Sequence, residues 1–254
     1  MATNLPPNVH VSQHPSVQAK MSQLRSKSAS ARETNALVHE ISLIVACEAL
    51  AKSLAPVPGP KLKSKDQTPI GADYETADVS PSTMCIVPIL RSGLAMVDGS
   101  SPSLSTRLLF LLFPTANFLR LLLCTAVQTV LPRLVPVHHL GMYREPSTLD
   151  PVEYYNNLSS AGSGAASLAI LVDPIIATGG TCAAAIQTLR EWGAKHVLVL
   201  SVLGAAAGVA QVAREWPEGT ELWMAAVDEG LTPEGMVKPG LGDVGDRLFL
   251  TLGK

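Results

Sequence analysis

From residue 84 onward, short apolar runs alternate with stretches of helical period. The apolar runs at 84–90, 135–140, 168–172, 196–203, 222–227 and 248–250 are strand candidates. Between them, 181–192 and 205–216 read as helices, and Gly193 stands where a helix C-cap glycine belongs. Strands alternating with helices predict an α/β fold, a largely parallel sheet with helices on its faces. Upstream, Leu37, Ile41, Ile44 and Val45 form one apolar stripe and predict a helix over 31–54. Pro56, Pro58, Gly59 and Pro60 end it. Residues 1–30, rich in Ser, Gln and Pro, read as an extended arm, which leaves 31–254 as the folded domain. Lys61, Lys63 and Lys65 read as a solvated loop face. No internal repeat is visible.

One segment breaks the rhythm. Residues 100–126 are heavy in Leu, Phe and Ser and carry no acid. Arg107, Pro114 and Arg120 interrupt the apolar run, so a membrane span is not expected. A loop this long and apolar is improbable in a compact domain. The segment reads as an atypical insert, with the composition and abrupt edges of a translated intron.

Composition narrows the function classes. The chain has 254 residues, 47% hydrophobic and 16% charged, enough for a sizeable core and too apolar for wholesale disorder. A net charge of -2 and 4% aromatic residues argue against a nucleic-acid partner held by a basic field or stacking platform. Cys47, Cys85, Cys124 and Cys182 are widely spaced, with neither zinc-ligand nor disulfide-framework spacing. They read as free thiols of a reducing compartment. The N-terminus shows no secretory pattern, so a cytoplasmic protein without a membrane partner is expected.

The strongest chemical signal is 168–181, LAILVDPIIATGGT. An apolar strand ends in Asp173, a short loop closes on Thr178-Gly179-Gly180-Thr181, and a helix begins. Unpaired N–H groups and the dipole at a helix start favour an anion such as a phosphate monoester. The two glycines permit close backbone approach. Thr178 and Thr181 add hydroxyls, and Asp173 is placed to accept from ribose hydroxyls. Neither a Walker A loop nor a dinucleotide fingerprint is present.

This string resembles the phosphoribosyl-diphosphate (PRPP) loop of the phosphoribosyltransferases. Pro174, where most members carry a second acid, makes it similar to the uracil phosphoribosyltransferase branch. Three other segments agree. Residues 87–94, VPILRSGL, place Arg91 at a strand end beside Gly93, suited to bidentate phosphate binding. Residues 139–145, HLGMYRE, carry Arg144, and the following PSTLDPVEYYNNL resembles the family's flap. Residues 239–246, PGLGDVGD, form a glycine-rich loop whose backbone groups could read a small planar amide. His138 and His139, adjacent on a strand, point to opposite faces and read as structural.

The resemblance covers about 14–99 and 127–254 and implies a type I phosphoribosyltransferase-like architecture with an extra strand arrangement near the base site. It implies transfer of phosphoribosyl from PRPP to uracil, giving UMP and diphosphate. Arg91, Arg144, Asp173 and Asp243 are the expected catalytic residues. Together with Pro174, Ile175, Ile176, Ala177, Thr178, Gly179, Gly180 and Thr181 they are expected to bind PRPP, and Val237, Gly242, Asp243 and Val244 to contact uracil. Mg²⁺ is expected to be held mainly by PRPP, with no protein metal site. A homodimer or higher homo-oligomer is implied by analogy. Two departures stand out: Met236, where Tyr is common, and Ser92, where Ala is usual. The competing reading is a non-catalytic or regulatory relative that binds nucleotides or RNA.

Overall fold

The computed structural model describes residues 5–59, 65–90, 116–144, 151–158, 165–242 and Arg247, with the backbone alone at 116–122 and at 143–144. Its strands are β1 (Val9–Val11), β2 (Ala55–Pro58), β3 (Lys65–Gln67), β4 (Asp73–Glu75), β5 (Ala77–Ser80), β6 (Met84–Leu90), β7 (Leu140–Arg144) and β8 (Pro151–Asn156). They continue with β9 (Leu168–Val172), β10 (Ile175–Ile176), β11 (His196–Ala205), β12 (Thr220–Asp228), β13 (Gly230–Leu231) and β14 (Val237–Lys238). The helices are α1 (Pro15–Arg25), α2 (Ala31–Ser53), α3 (Ala116–Val130), α4 (Gly180–Trp192) and α5 (Ala206–Glu215).

An eight-stranded sheet runs in the order β1-β12-β11-β9-β6-β7-β8, with β10 pairing β11 off this path. Every pairing in it is parallel except β7 with β8. The largely parallel sheet flanked by helices is therefore the observed architecture. Central strands are buried on both faces, so they read as unbroken apolar runs rather than alternating ones. One face, with Ile86, Ile170 and Leu198, packs under α1, α2 and α3. The other, with Val87, Leu171 and Val199, packs under α4 and α5. A separate antiparallel arm is built from β2 with β5 and β3 with β4, and it holds the 90% exposed Ile70.

Helix α2 begins on a reciprocal cap. Ser30 Oγ accepts from the Glu33 N–H, and the Glu33 carboxylate accepts from the Ser30 N–H. Its buried stripe includes Leu37, Val38, Ile41, Val45 and Ala49. By length and composition it could cross a membrane, yet that stripe is packed in the core.

Three expectations change. The segment 1–30 is not an extended arm throughout: β1 adds to the sheet edge and 15–25 is helical. Val17, Met21 and Leu24, spaced i, i+4, i+7, are buried, each contributing about 1.5–3 kcal/mol. That stripe is three residues wide and lay under a polar composition. Residues 135–139 run beside β6 with only a bridge between Ile86 and Val137, and regular pairing begins at Leu140. Pro136 has no N–H to give the ladder; its carbonyl accepts from Ile86. Finally, the apolar 100–126 segment enters the fold from Ala116, as the first part of α3. There Leu123, Cys124 and Ala126 are buried against α2 and β6. The expected strand at 248–250 lies outside the described residues.

Candidate active site

Strand order locates the site. From β6 the chain crosses to β7 on one side, and its next central strand, β9, lies on the other side of β6. The reversal between β6 and β9 is a topological switch point, where open α/β sheets bind ligands beyond the carboxyl ends of their strands. Those ends carry the loop after β9, the end of β7 at Arg144, and the end of β12 at Asp228.

The loop after β9 is held by its neighbour strand. Asp173 is buried at 6% exposure, and its N–H donates to Leu200 O at 3.2 Å. The Pro174 carbonyl accepts from Val202 N, Leu203 N and Ser201 Oγ, all within 3.1 Å. β10 then pairs with Leu203 and Gly204 of β11. Helix α4 opens at Gly179, in the left-handed region at φ 90° with no side-chain cap. Its first N–H groups are therefore available to an anion, and no acid occupies the first turn. A Cβ on Gly180 would meet nothing within 4 Å, so that glycine faces open space. Gly208 of α5 lies against the underside of the loop.

A hairpin follows β12 and leads into the glycine-rich loop at 239–242. β13 and β14 pair antiparallel, and Thr232 N donates to Met236 O at 2.7 Å. The hairpin is an extra strand pair outside the main sheet. Val237 is buried at its end, Gly240 and Gly242 take positive φ, and a Cβ on Gly242 would again meet open space. Met236 is half exposed at the hairpin.

The structure thus brings 173–181 and the backbone of Arg144 to the carboxyl ends of the sheet's strands, and packs Val237 and Leu241, the neighbour of Gly242, in the core cluster against which Ile175 and Ala177 also pack. Arg91, Asp243 and Val244 lie outside the described residues, as does the side chain of Arg144. His138 rests edge-on to Trp192, with Nδ1 3.3 Å from Asn157 O, and the Asn157 side chain accepts from the His139 N–H. Burial, then the neighbouring His138, pushes His139 below the ordinary histidine value. Both have structural partners. No disulfide joins the described cysteines, and burial pushes Cys85 up to about 12. Among the described residues, no group of three His, Cys, Asp or Glu could hold a metal ion.

The uracil phosphoribosyltransferase family model matches residues 11–113 and 121–251. The chain belongs to the uracil phosphoribosyltransferase family. The interior break, 114–120, falls within the apolar segment. The family's enzyme from Thermoanaerobacter sp. (strain X514) is 36% identical over 244 residues, covering 96% of this chain and 98% of that protein. The Bacillus cytotoxicus enzyme is 35% identical over 243 residues, with the same coverage. Among solved structures, the AQ2163 protein of Aquifex aeolicus shares the fold: TM-score 0.72, 24% identity, covering 96% of this chain and 98% of that one.

Several supporting residues of this family member escaped sequence reasoning. Gly208 sits in a helical run, and an isolated glycine there is a signal of close packing. Ser201 and Arg25 gave no signal, because their partners are distant in sequence.

Proposed function

We propose that this chain transfers the phosphoribosyl group of PRPP to N1 of uracil. The N1–C1′ bond forms as the bond from C1′ to the diphosphate oxygen breaks, N1 loses its proton, and UMP and diphosphate leave. The observation that carries this reading is the buried Asp173 followed by an uncapped helix start with an open Gly180 face, at the switch point of the sheet. That arrangement supports a ribose 5-phosphate on the N–H groups of 179–181 and its hydroxyls on Asp173. The hairpin loop at 237–242 supports base recognition by main-chain groups.

The reaction needs positioning and charge stabilisation more than a covalent nucleophile. Holding base and ribose in line supplies about 7–11 kcal/mol of the barrier. Arg91 and Arg144 would meet charge growing on the leaving diphosphate, and Asp243 would orient the reacting centre. Mg²⁺ would be carried mainly by PRPP oxygens and waters, since it keeps its waters and favours phosphate ligands, and would supply further charge neutralisation there. The net charge of -2 supports small-molecule substrates rather than nucleic acid. We read the protein as a cytoplasmic homo-oligomer without a membrane partner.

The test is UMP formation from labelled uracil and PRPP by the purified full chain. Release of labelled UMP is expected; PRPP binding without any UMP would leave a non-catalytic relative.

A further inference from the structure

We infer that Arg25 and Asp228 are positioning residues for the base loop, an inference that rests on the uracil reading. Asp228 is the last residue of β12 and 7% exposed; Arg25 is the last residue of α1. They meet as a fork: Nη1 donates to Oδ2 at 2.8 Å and Nη2 to Oδ1 at 2.6 Å. The same two side chains hold both polar groups of one loop residue. The Gly240 N–H donates to Asp228 Oδ2 at 2.8 Å, and the Gly240 carbonyl accepts from Arg25 Nη1 at 2.9 Å. Arg247 repeats the theme, donating to Leu24 O, to Ser26 O at 2.9 Å and to Leu241 O at 3.1 Å. The start of the base loop is thereby fastened to the last turn of a helix that is distant in sequence.

Gly240 stands between Val237 and Gly242, two of the expected uracil contacts. Its φ is +67°, and a Cβ there would lie 2.0 Å from Val237 O, so the main chain has one route through this point. A loop that reads a base through backbone groups cannot correct a displacement by changing a rotamer. The pair therefore acts on uracil through the position of the loop. A part-buried ion pair adds little net stability, since desolvation and solvent screening offset the attraction, so placement is the more consequential effect.

Arg25→Lys removes the planar fork and Asp228→Asn removes the charge, each with little change in volume. Both are expected to lower kcat/KM for uracil by about tenfold or more, the scale of a lost charge-assisted hydrogen bond. The Kd for PRPP, which shares only the Asp243 contact with this loop and whose other expected loop contacts are anchored separately on Pro174 and Ser201, should change far less than kcat/KM for uracil. The double variant should be little worse than either single one, since one unit is being broken. Unchanged uracil kinetics, or equal losses for both substrates, would overturn the inference. If the wild-type chain makes no UMP, the functional reading has failed and the clamp is judged by amide exchange. Faster exchange at Gly240 in Asp228→Asn supports it, and unchanged exchange refutes it. Should Asp228→Asn fail to fold, Arg25→Lys carries the same comparison.

Discussion

A Cβ on Gly179 would lie 2.4 Å from the carbonyl oxygen of Gly208. The contact is reciprocal, because a Cβ on Gly208 would lie 2.0 Å from Ala177 O. Helix α5 thus touches the loop after β9 backbone to backbone, and neither side has a flexible group that could yield. Gly180 differs: no positive φ, and open space where a side chain would go.

Gly208 and Gly180 should therefore separate in experiment. Gly208→Ala is expected to displace the loop, lowering both the unfolding temperature and PRPP affinity. Gly180→Val should leave the unfolding temperature near that of the wild type while PRPP affinity collapses, because the valine fills the face a phosphate approaches. Calorimetric PRPP titration and thermal unfolding check both; full PRPP binding by Gly180→Val would remove the loop from the site.

Base choice tests the hairpin loop. Main-chain groups that pair with uracil O4 and N3–H face the wrong donor and acceptor in cytosine. Sites built on such hydrogen bonds discriminate by about 10⁴ or more. Cytosine should show no measurable turnover, and 5-fluorouracil, with the same edge, should be accepted. Steady-state rates with each base decide it; comparable rates with cytosine or hypoxanthine would refute the assignment.

His139 gives the fold an acid-side weakness. Burial is the main cause of its lowered pKa, with the adjacent His138 adding to it. The unfolded chain then binds this proton more tightly than the folded one. The stability it contributes is complete above about pH 6.5 and declines as pH falls below that value toward the lower folded pKa. His10 acts in the same sense, lowered by burial and then Lys52 against an opposing Glu221. His139→Gln should flatten the fall in unfolding temperature between about pH 7 and 5 relative to the wild type. An unchanged slope would place the acid sensitivity elsewhere.

The apolar segment should be removable, despite the buried part of α3. Joining Gly99 directly to Val127 would bring Met96, Val97, Asp98 and Gly99 into the positions of Leu123, Cys124, Thr125 and Ala126. Those positions are buried, buried, exposed and buried, and the incoming residues fit each in turn. Deleting 100–126 is therefore expected to preserve the helix, raise soluble yield, and keep or raise UMP formation. Loss of activity in a folded deletion variant would show that the segment is functional.

What sequence alone determined here is local and chemical. The runs at 84–90 and 168–172, the helix from residue 31 and the αL cap at Gly193 were legible because burial on both strand faces and helical period each leave a one-dimensional trace. The Asp173 to Thr181 string was legible because phosphate binding at a helix start needs residues contiguous in the chain. Tertiary structure decided whatever depends on distant partners. Helix α1 is stabilised by three residues whose burial exists only once α2 and the sheet are in place. Gly208 had to be glycine because of Ala177, and Arg25 reaches Asp228 and Gly240 across more than two hundred residues. Such contacts leave no periodic trace, since the chain meets itself at spacings set by topology rather than by helix or strand geometry.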